Sequence, residues 1–291
     1  MSNDHLPAHS TFVCPSCGTE SFDQFCSNCG EEKLGPADRS LRHYFDVVAN
    51  LLTHFDSKGY RSLWYLVAKP GFLSEEQFRG RRVRYAKPIS LFVSLNVVYY
   101  FFIALFGVHT FSTPLSVQLH GNDYYSGFVS RTVESRLKVD TMSMSTFETK
   151  YDAKAGSFSK TLIFLFIPIY AVIFYCLFFT HRRYFVDHAV IATHLWSFIL
   201  LLLTLGVPAV AALLMWWYKA PSISALIAAN DNPITIFLQV CIAVYLVLML
   251  RRVYTASYWY SATVALVISW SFFHIVWLYR FLLFVITAHL V

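Results

Sequence analysis

Residues 195–217 read LWSFILLLLTLGVPAVAALLMWW, an apolar run without a single charged residue. The hydrocarbon core of a bilayer is ~30 Å thick and a helix rises ~1.5 Å per residue, so a run of this length predicts a transmembrane helix. Similar runs predict further spans at about 88–108, 161–180, 233–250 and 258–285. The sequence therefore predicts an all-α polytopic membrane protein with about five transmembrane helices.

The overall composition agrees with a membrane protein. Of the 291 residues, 56% are hydrophobic and only 14% are charged, whereas a soluble domain carries about 25% charged residues. All 17 carboxylates lie outside the predicted spans. Ion-coupled transporters keep such groups inside the membrane, so this distribution argues against ion-coupled transport.

The chain before the first span divides into three predicted parts. Residues 1–10 are expected to be a disordered lead, and residues 11–35 contain four cysteines. Residues 40–87 have the pattern of short amphipathic helices, which either lie in the cytoplasmic interface or pack on the protein itself. Within them Ser74 is expected to cap a helix, with Gln77 completing a capping box. Residues 88–291 form the predicted transmembrane domain. Within it, residues 109–160 are the predicted outer loop.

The four cysteines form two C-x2-C-G turns, Cys14-Pro-Ser-Cys17-Gly and Cys26-Ser-Asn-Cys29-Gly. Each turn can present two thiolates from one side, and four thiolates suit tetrahedral Zn²⁺. We therefore expect a small N-terminal zinc ribbon with Cys14, Cys17, Cys26 and Cys29 as ligands. Iron in place of zinc, or two disulfides, are the alternatives, and a cytoplasmic location disfavours disulfides. A zinc ion with four protein ligands is structural, because it has no open position for substrate.

The charge of the ribbon segment also predicts which class of partner the protein binds. Residues 11–35 contain one lysine, no arginine and several acids, whereas nucleic-acid binding requires a basic face. We expect no nucleic-acid partner and instead a protein partner at the ribbon.

Basic residues near the span ends predict the orientation. With five spans, one side would carry Arg79, Arg81, Arg82, Arg84, Lys87, Arg182, Arg183, Arg251 and Arg252, and the other side would carry Lys150, Lys154, Lys160 and Lys219. This asymmetry predicts a cytoplasmic N-terminus and an extracytoplasmic C-terminus. The last apolar stretch extends to residue 291 and is either one tilted helix or a span followed by an interfacial tail.

A polar cluster before the third span is a candidate functional site: His181, Asp187, His188 and His194. On a continuous helix, residues seven apart share a face, so Asp187 would align with His194, and His181 with His188. The alternative is structural, with Asp187 capping the helix and the histidines pairing between helices.

The basic stretch before the first span is a second candidate site. Its cations could each gain ~1 kcal/mol from anionic headgroups. They either anchor the topology or bind a lipid or phosphate group, and they are Arg79, Arg81, Arg82, Arg84 and Lys87.

Several of these features together resemble a bacterial membrane family, domain of unknown function 3667. The similar positions are the two cysteine turns, Pro70-Gly71, the segment Gly80–Tyr85, Pro88, Tyr184, Asp187-His188, His194 and Phe198. The family more often has glutamate where Asp187 stands. The resemblance implies a protein of the bacterial inner membrane, and it implies no activity.

The sequence supports three functional hypotheses. The first is a scaffold or regulatory protein that docks a partner through the ribbon. The second is a transporter or lipid-handling protein that uses the basic stretch and the cluster of Asp187, His188 and His194. The third is a membrane enzyme that uses the same histidines. We expect a non-enzymatic protein because no short catalytic motif is present.

Overall fold

The computed structural model describes residues 12–13, 19–21, 57–79, 84–106, 111–120, 125–140, 142–181, 183–219 and 232–291. The chain forms two compact units, Met1–Phe55 and Asp56–Val291. The disordered lead expected at 1–10, the helix expected from Ser40, and most of the ribbon segment lie outside the described residues.

The described part of the first unit is a pair of short strands. Strand β1 (Phe12–Val13) pairs antiparallel with β2 (Glu20–Ser21), with Phe12 opposite Ser21 and Val13 opposite Glu20. Val13 and Glu20, which are thus paired, flank segment 14–19, and the sequence of that segment contains the first C-x2-C turn.

The described residues of the second unit are helical, as the sequence predicts. The helices are α1 (Ser57–Ala68), α2 (Phe72–Phe78), α3 (Pro88–Phe106), α4 (Leu115–His120), α5 (Ser126–Asp140), α6 (Met144–Leu177), α7 (Phe185–Tyr218), α8 (Asn232–Tyr254) and α9 (Tyr258–Leu290). By length and apolarity, α6, α7, α8 and α9 can each cross a membrane. The predicted first span lies in α3, which has 19 residues and no charged residue. Four of the described helices thus meet the length and apolarity of a span, and together with α3 they agree roughly with the five spans predicted from the sequence.

Two helices accommodate a proline through an irregular turn. Pro168 follows a 3-10 turn at Ile163–Leu165 within α6, and Pro208 follows a π-helical turn at Leu202–Gly206 within α7. A proline removes the hydrogen bond to the residue four positions earlier, and each irregular turn contains that residue. Both helices continue beyond their proline, so each remains one long helix.

The segment predicted as an outer loop is largely helical. Helices α4, α5 and the first half of α6 pack around a small core that includes Leu115, Val129 and Tyr151. Phe284 and Ala288 of α9 complete this core. The last apolar stretch is one continuous helix, α9, of 33 residues. The end of α9 packs against α4, α5 and the first half of α6. We call these three helical segments the cap.

Aromatic rings fill the centre of the main bundle. Trp196 is fully buried and stacks on Phe166 at 4.1 Å between ring centroids. Tyr279 and Phe272 bring α9 onto the same cluster. The core receives side chains from all five of the long helices α3, α6, α7, α8 and α9.

Candidate functional site

The short helix α2 is held between α7 and α8 at one end of the bundle. It begins after Gly71, which has a left-handed backbone with φ 79°. A Cβ atom at Gly71 would lie 3.0 Å from the Met249 carbonyl oxygen and 3.1 Å from the Met249 Cα. The sequence placed the start of this helix at Ser74, and that expectation is wrong: Gly71 is the N-cap residue, and Ser74 is buried inside the helix.

The Ser74 side chain instead contacts a buried histidine. Its Oγ lies 2.8 Å from Nδ1 of His194, which is 2% exposed. A buried polar group is costly unless it has a hydrogen-bond partner, so this bond joins α2 to α7. Ser74 and His194 are 120 residues apart along the sequence, so this hydrogen bond joins distant parts of the chain.

His188 is bound in a similar way to α8. It is fully buried, and its Nδ1 lies 2.7 Å from the hydroxyl oxygen of Tyr254. The Tyr254 ring also stacks on Phe178 at 3.9 Å. The two histidines thus have different partners on different helices and do not form one polar cluster.

The chain turns before α7, so His181 is not on the same helix as His188, although its ring lies 5.6 Å from the Tyr254 ring. Helix α7 begins at Phe185, whereas His181 ends a 3-10 turn at Phe179–His181 and is exposed. The Asp187 carboxylate accepts a hydrogen bond from the Tyr184 backbone N–H at 3.2 Å. Because the helix does not extend back to His181, the expected alignment of His181 with His188 does not occur.

Arg183, just before α7, contacts both α8 and α2. Its Nη2 donates to the Val253 carbonyl at 2.6 Å, and its guanidinium lies 4.6 Å from the centre of the Phe78 ring. A cation over an aromatic face is attracted by the ring quadrupole. Arg183 thus connects the start of α7 with the ends of α2 and α8.

An open groove of about 540 Å³ lies beside these contacts. We call it the histidine groove; its lining includes His181, Arg183, Tyr184, Asp187 and Tyr254. His188 lies behind the Tyr254 ring and does not line it, nor does His194. Among the described lining residues, His181 is exposed, and Tyr254 is paired through its hydroxyl with buried His188.

A second groove of about 490 Å³ also borders the linker between α8 and α9, with Thr255 and Ala256 in its lining. We call it the basic groove; its lining includes Lys69, Pro70, Leu248, Arg251 and Arg252. Thr255 lines both grooves and has a left-handed backbone with φ 51°. Arg252 Nη1 donates to the Pro70 carbonyl at 2.9 Å, so this cation also helps to hold α2.

The predicted basic stretch is only partly described. Arg81 and Arg82 lie outside the described residues, while Arg84 and Lys87 are exposed. Arg79 pairs with Glu75 at 2.5 Å and lies 3.6 Å from Glu76, so carboxylates already balance its charge. Burial, and then the Glu76 carboxylate, raise the pKa of Tyr85, which packs against Tyr65 and Phe72.

The predicted zinc ligands Cys14, Cys17, Cys26 and Cys29 also lie outside the described residues. Within the part that is described, no group of three or more His, Cys, Asp or Glu side chains is placed to hold a metal ion. Cys176 and Cys241 in the bundle are free thiols.

Sequence reasoning gave Ser74 the wrong role, and it missed Tyr254 and the basic groove. Tyr254 ends the apolar run just after Arg251 and Arg252, which is a typical position for an interfacial tyrosine. No local signal marks it as the partner of His188. The pairing depends on how α7 and α8 pack, and spacing within one helix contains no information about that.

Among comparisons with known proteins, one family model matches the part of the chain that contains α1 and α2. A family model described as "Protein of unknown function (DUF3667)" matches residues 56–104. No curated protein and no solved structure matches the chain. The matched segment holds α1, α2 and most of α3, so it includes the helix that is held between α7 and α8.

Proposed function

We propose that this chain is a membrane-anchored scaffold or regulatory protein that docks a protein partner through a cytoplasmic zinc ribbon at residues 11–35. The observation that carries the proposal is the fixation of α2. Gly71 lies against Met249, Ser74 bonds to His194, and the Pro70 carbonyl bonds to Arg252. Helix α2, which precedes the spans in the sequence, is thus held by α7 and α8 and supports a fixed base for such a module.

The antiparallel pair β1–β2 supports a metal ribbon. Val13 and Glu20 face each other on either side of segment 14–19, so the first cysteine turn connects two paired strands. Four thiolates are the donor set that structural Zn²⁺ prefers, and so short a unit would gain much of its folding free energy from the metal. In this proposal Cys14, Cys17, Cys26 and Cys29 hold one Zn²⁺.

The proposed location is the bacterial inner membrane, with the N-terminus in the cytoplasm and the C-terminus outside. Support comes from contacts that gather basic residues at one end of the bundle: Arg183 donates to Val253 and Arg252 donates to Pro70. Cytoplasmic segments near span ends are rich in Lys and Arg. The cap would then lie on the extracytoplasmic side.

The alternative of a transporter or lipid-handling protein that uses Asp187, His188 and His194 has less support. It requires a hydrated cavity that reaches His188 and His194, because a transport site must exchange water or substrate with its polar groups. Both histidines are buried, each is paired across helices, and neither lines the two grooves. Their geometry favours a structural role.

The test compares two cysteine variants of the full chain. One replaces Cys14, Cys17, Cys26 and Cys29 with serine, and the matched control replaces Cys176 and Cys241, which are free thiols in the bundle. Zinc is measured by elemental analysis of purified protein, and partners are recovered by crosslinking in native membranes. We expect the wild type and the control to hold one zinc per chain and the same partner, and the four-serine variant to lose both.

Two outcomes would overturn the proposal. One is zinc content that is unchanged in the four-serine variant, and the other is recovery of the same partners with and without the ribbon cysteines. The thermal stability of the bundle serves as a check, because the four-serine variant should keep the stability of the wild type if the ribbon folds as a separate unit.

A further inference from the structure

The basic groove concentrates positive charge at the end of α8. Lys69 and Arg251 are exposed, and Arg252 is oriented by its bond to the Pro70 carbonyl. Among the described residues, none of the three cations makes a salt bridge, and no carboxylate lines the groove. The groove therefore suits an anionic group that can accept hydrogen bonds from several cations at once.

An apolar stripe on α8 leads into this groove. Ile236, Val240, Val244 and Leu248 recur every four residues, so they lie along one face of the helix. Each is between 48% and 58% exposed, and Leu248 also lines the groove. At ~1.5 Å per residue the stripe is about 18 Å long, close to the ~15 Å of one leaflet of the hydrocarbon core.

Helix α1 places the groove at the depth of the membrane interface. Tyr60, Trp64 and Val67 form an exposed face of α1, while Ser62 and Leu66 on its other side are buried. Tryptophan and tyrosine are enriched at the level of the lipid headgroups. Helix α1 ends at Ala68, which lines the groove, and Lys69 follows directly, so the groove borders the C-terminal end of this helix.

We infer that the basic groove binds the phosphate-bearing headgroup of an anionic phospholipid, with one acyl chain along the α8 stripe. The phosphate accepts hydrogen bonds from Lys69 and Arg251, while Arg252 adds positive charge from its fixed position. A soluble phosphate would use the cations alone, whereas a lipid also uses the stripe that continues from them. Such a lipid would fill the space between α1 and α8.

The binding test uses the full-length protein in neutral detergent and native mass spectrometry, with dioleoyl phosphatidylglycerol as the probe. The variant is Lys69→Gln with Arg251→Gln, because both side chains are exposed and Arg252 is needed to hold α2. The matched control is Lys150→Gln with Lys160→Gln, which removes two exposed charges from α6. Each interfacial cation contributes about a fivefold gain in binding, so the first variant should bind about 25-fold more weakly. The control should change by less than twofold.

Two further arms identify the source of the phosphate. Dioleoyl phosphatidylcholine should bind the wild type at least tenfold more weakly than phosphatidylglycerol, and inorganic phosphate should not displace the bound lipid at millimolar concentration. Equal weakening by both double variants, or none by either, would overturn the inference. Displacement by inorganic phosphate alone would show a soluble-anion site and would also overturn it. Intrinsic tryptophan fluorescence confirms that each variant is folded before it is titrated.

Discussion

Gly71→Ala tests whether α2 is fixed as the contacts indicate. The residue has φ 79°, and a non-glycine residue pays about 1–2 kcal/mol for this left-handed conformation. The added Cβ would also lie 3.0 Å from the Met249 carbonyl oxygen and 3.1 Å from Val253 Cγ2. Because the first neighbour is backbone, α2 must shift away from α8, which lengthens the 2.9 Å bond between Arg252 and Pro70.

The expected total is a loss of about 2–4 kcal/mol in the free energy of unfolding, from backbone strain and overpacking together. The measurement is a titration of the purified full chain from neutral into denaturing micelles, followed by tryptophan fluorescence. Gly156→Ala is the matched control. Gly156 lies within α6, and a Cβ there would have no atom within 4 Å, so that change should stabilise the protein by about 0.5–1 kcal/mol.

The two glycine variants should therefore move in opposite directions. If Gly71→Ala unfolds at the same point as the wild type, or if both variants shift equally, then α2 is not held against α8 as described. The variant should also keep normal membrane insertion, because Gly71 lies outside the helices that are long enough to span.

Three further changes probe the buried contacts by the same titration. Ser74→Ala should cost about 1–3 kcal/mol because it leaves His194 buried without its partner, and an unchanged midpoint would contradict this. Tyr254→Phe should cost a similar amount through His188, although its ring stacking is kept; a gain in stability would argue against that bond. Trp196→Ala should cost about 3–5 kcal/mol by opening a cavity in the aromatic core, and a loss below 1 kcal/mol would refute that packing.

The sequence predicts the long apolar helices well because the bilayer imposes a minimum apolar length. It predicts their ends less well. Helix α6 begins at Met144, far before the predicted span at 161, because beyond the lipid a helix needs packing contacts and not apolar length. Phe147, Tyr151 and Ala155 show those contacts: they lie four residues apart and are all buried.

The candidate site shows a different limit. The Asp187 carboxylate accepts a hydrogen bond from the backbone of Tyr184, three residues earlier. The short separation of the two residues in the sequence is enough to predict such a contact. Ser74 and His194 are 120 residues apart and meet only because α2 enters between α7 and α8. Local rules assigned Ser74 to a helix cap, whereas tertiary packing gave that position to Gly71. The zinc site at Cys14, Cys17, Cys26 and Cys29 stays a prediction.

The length of α9 has a mechanical consequence. Its 33 residues, Tyr258–Leu290, contain neither glycine nor proline, and at ~1.5 Å per residue they form a rod about 50 Å long. One end joins the linker that contains Thr255, beside both grooves, and the other end completes the core of the cap. A rod that tilts by about 3° around its middle moves both ends by about 1.3 Å in opposite directions. A displacement of α9 at the cap would therefore be accompanied by a displacement of similar size beside the two grooves.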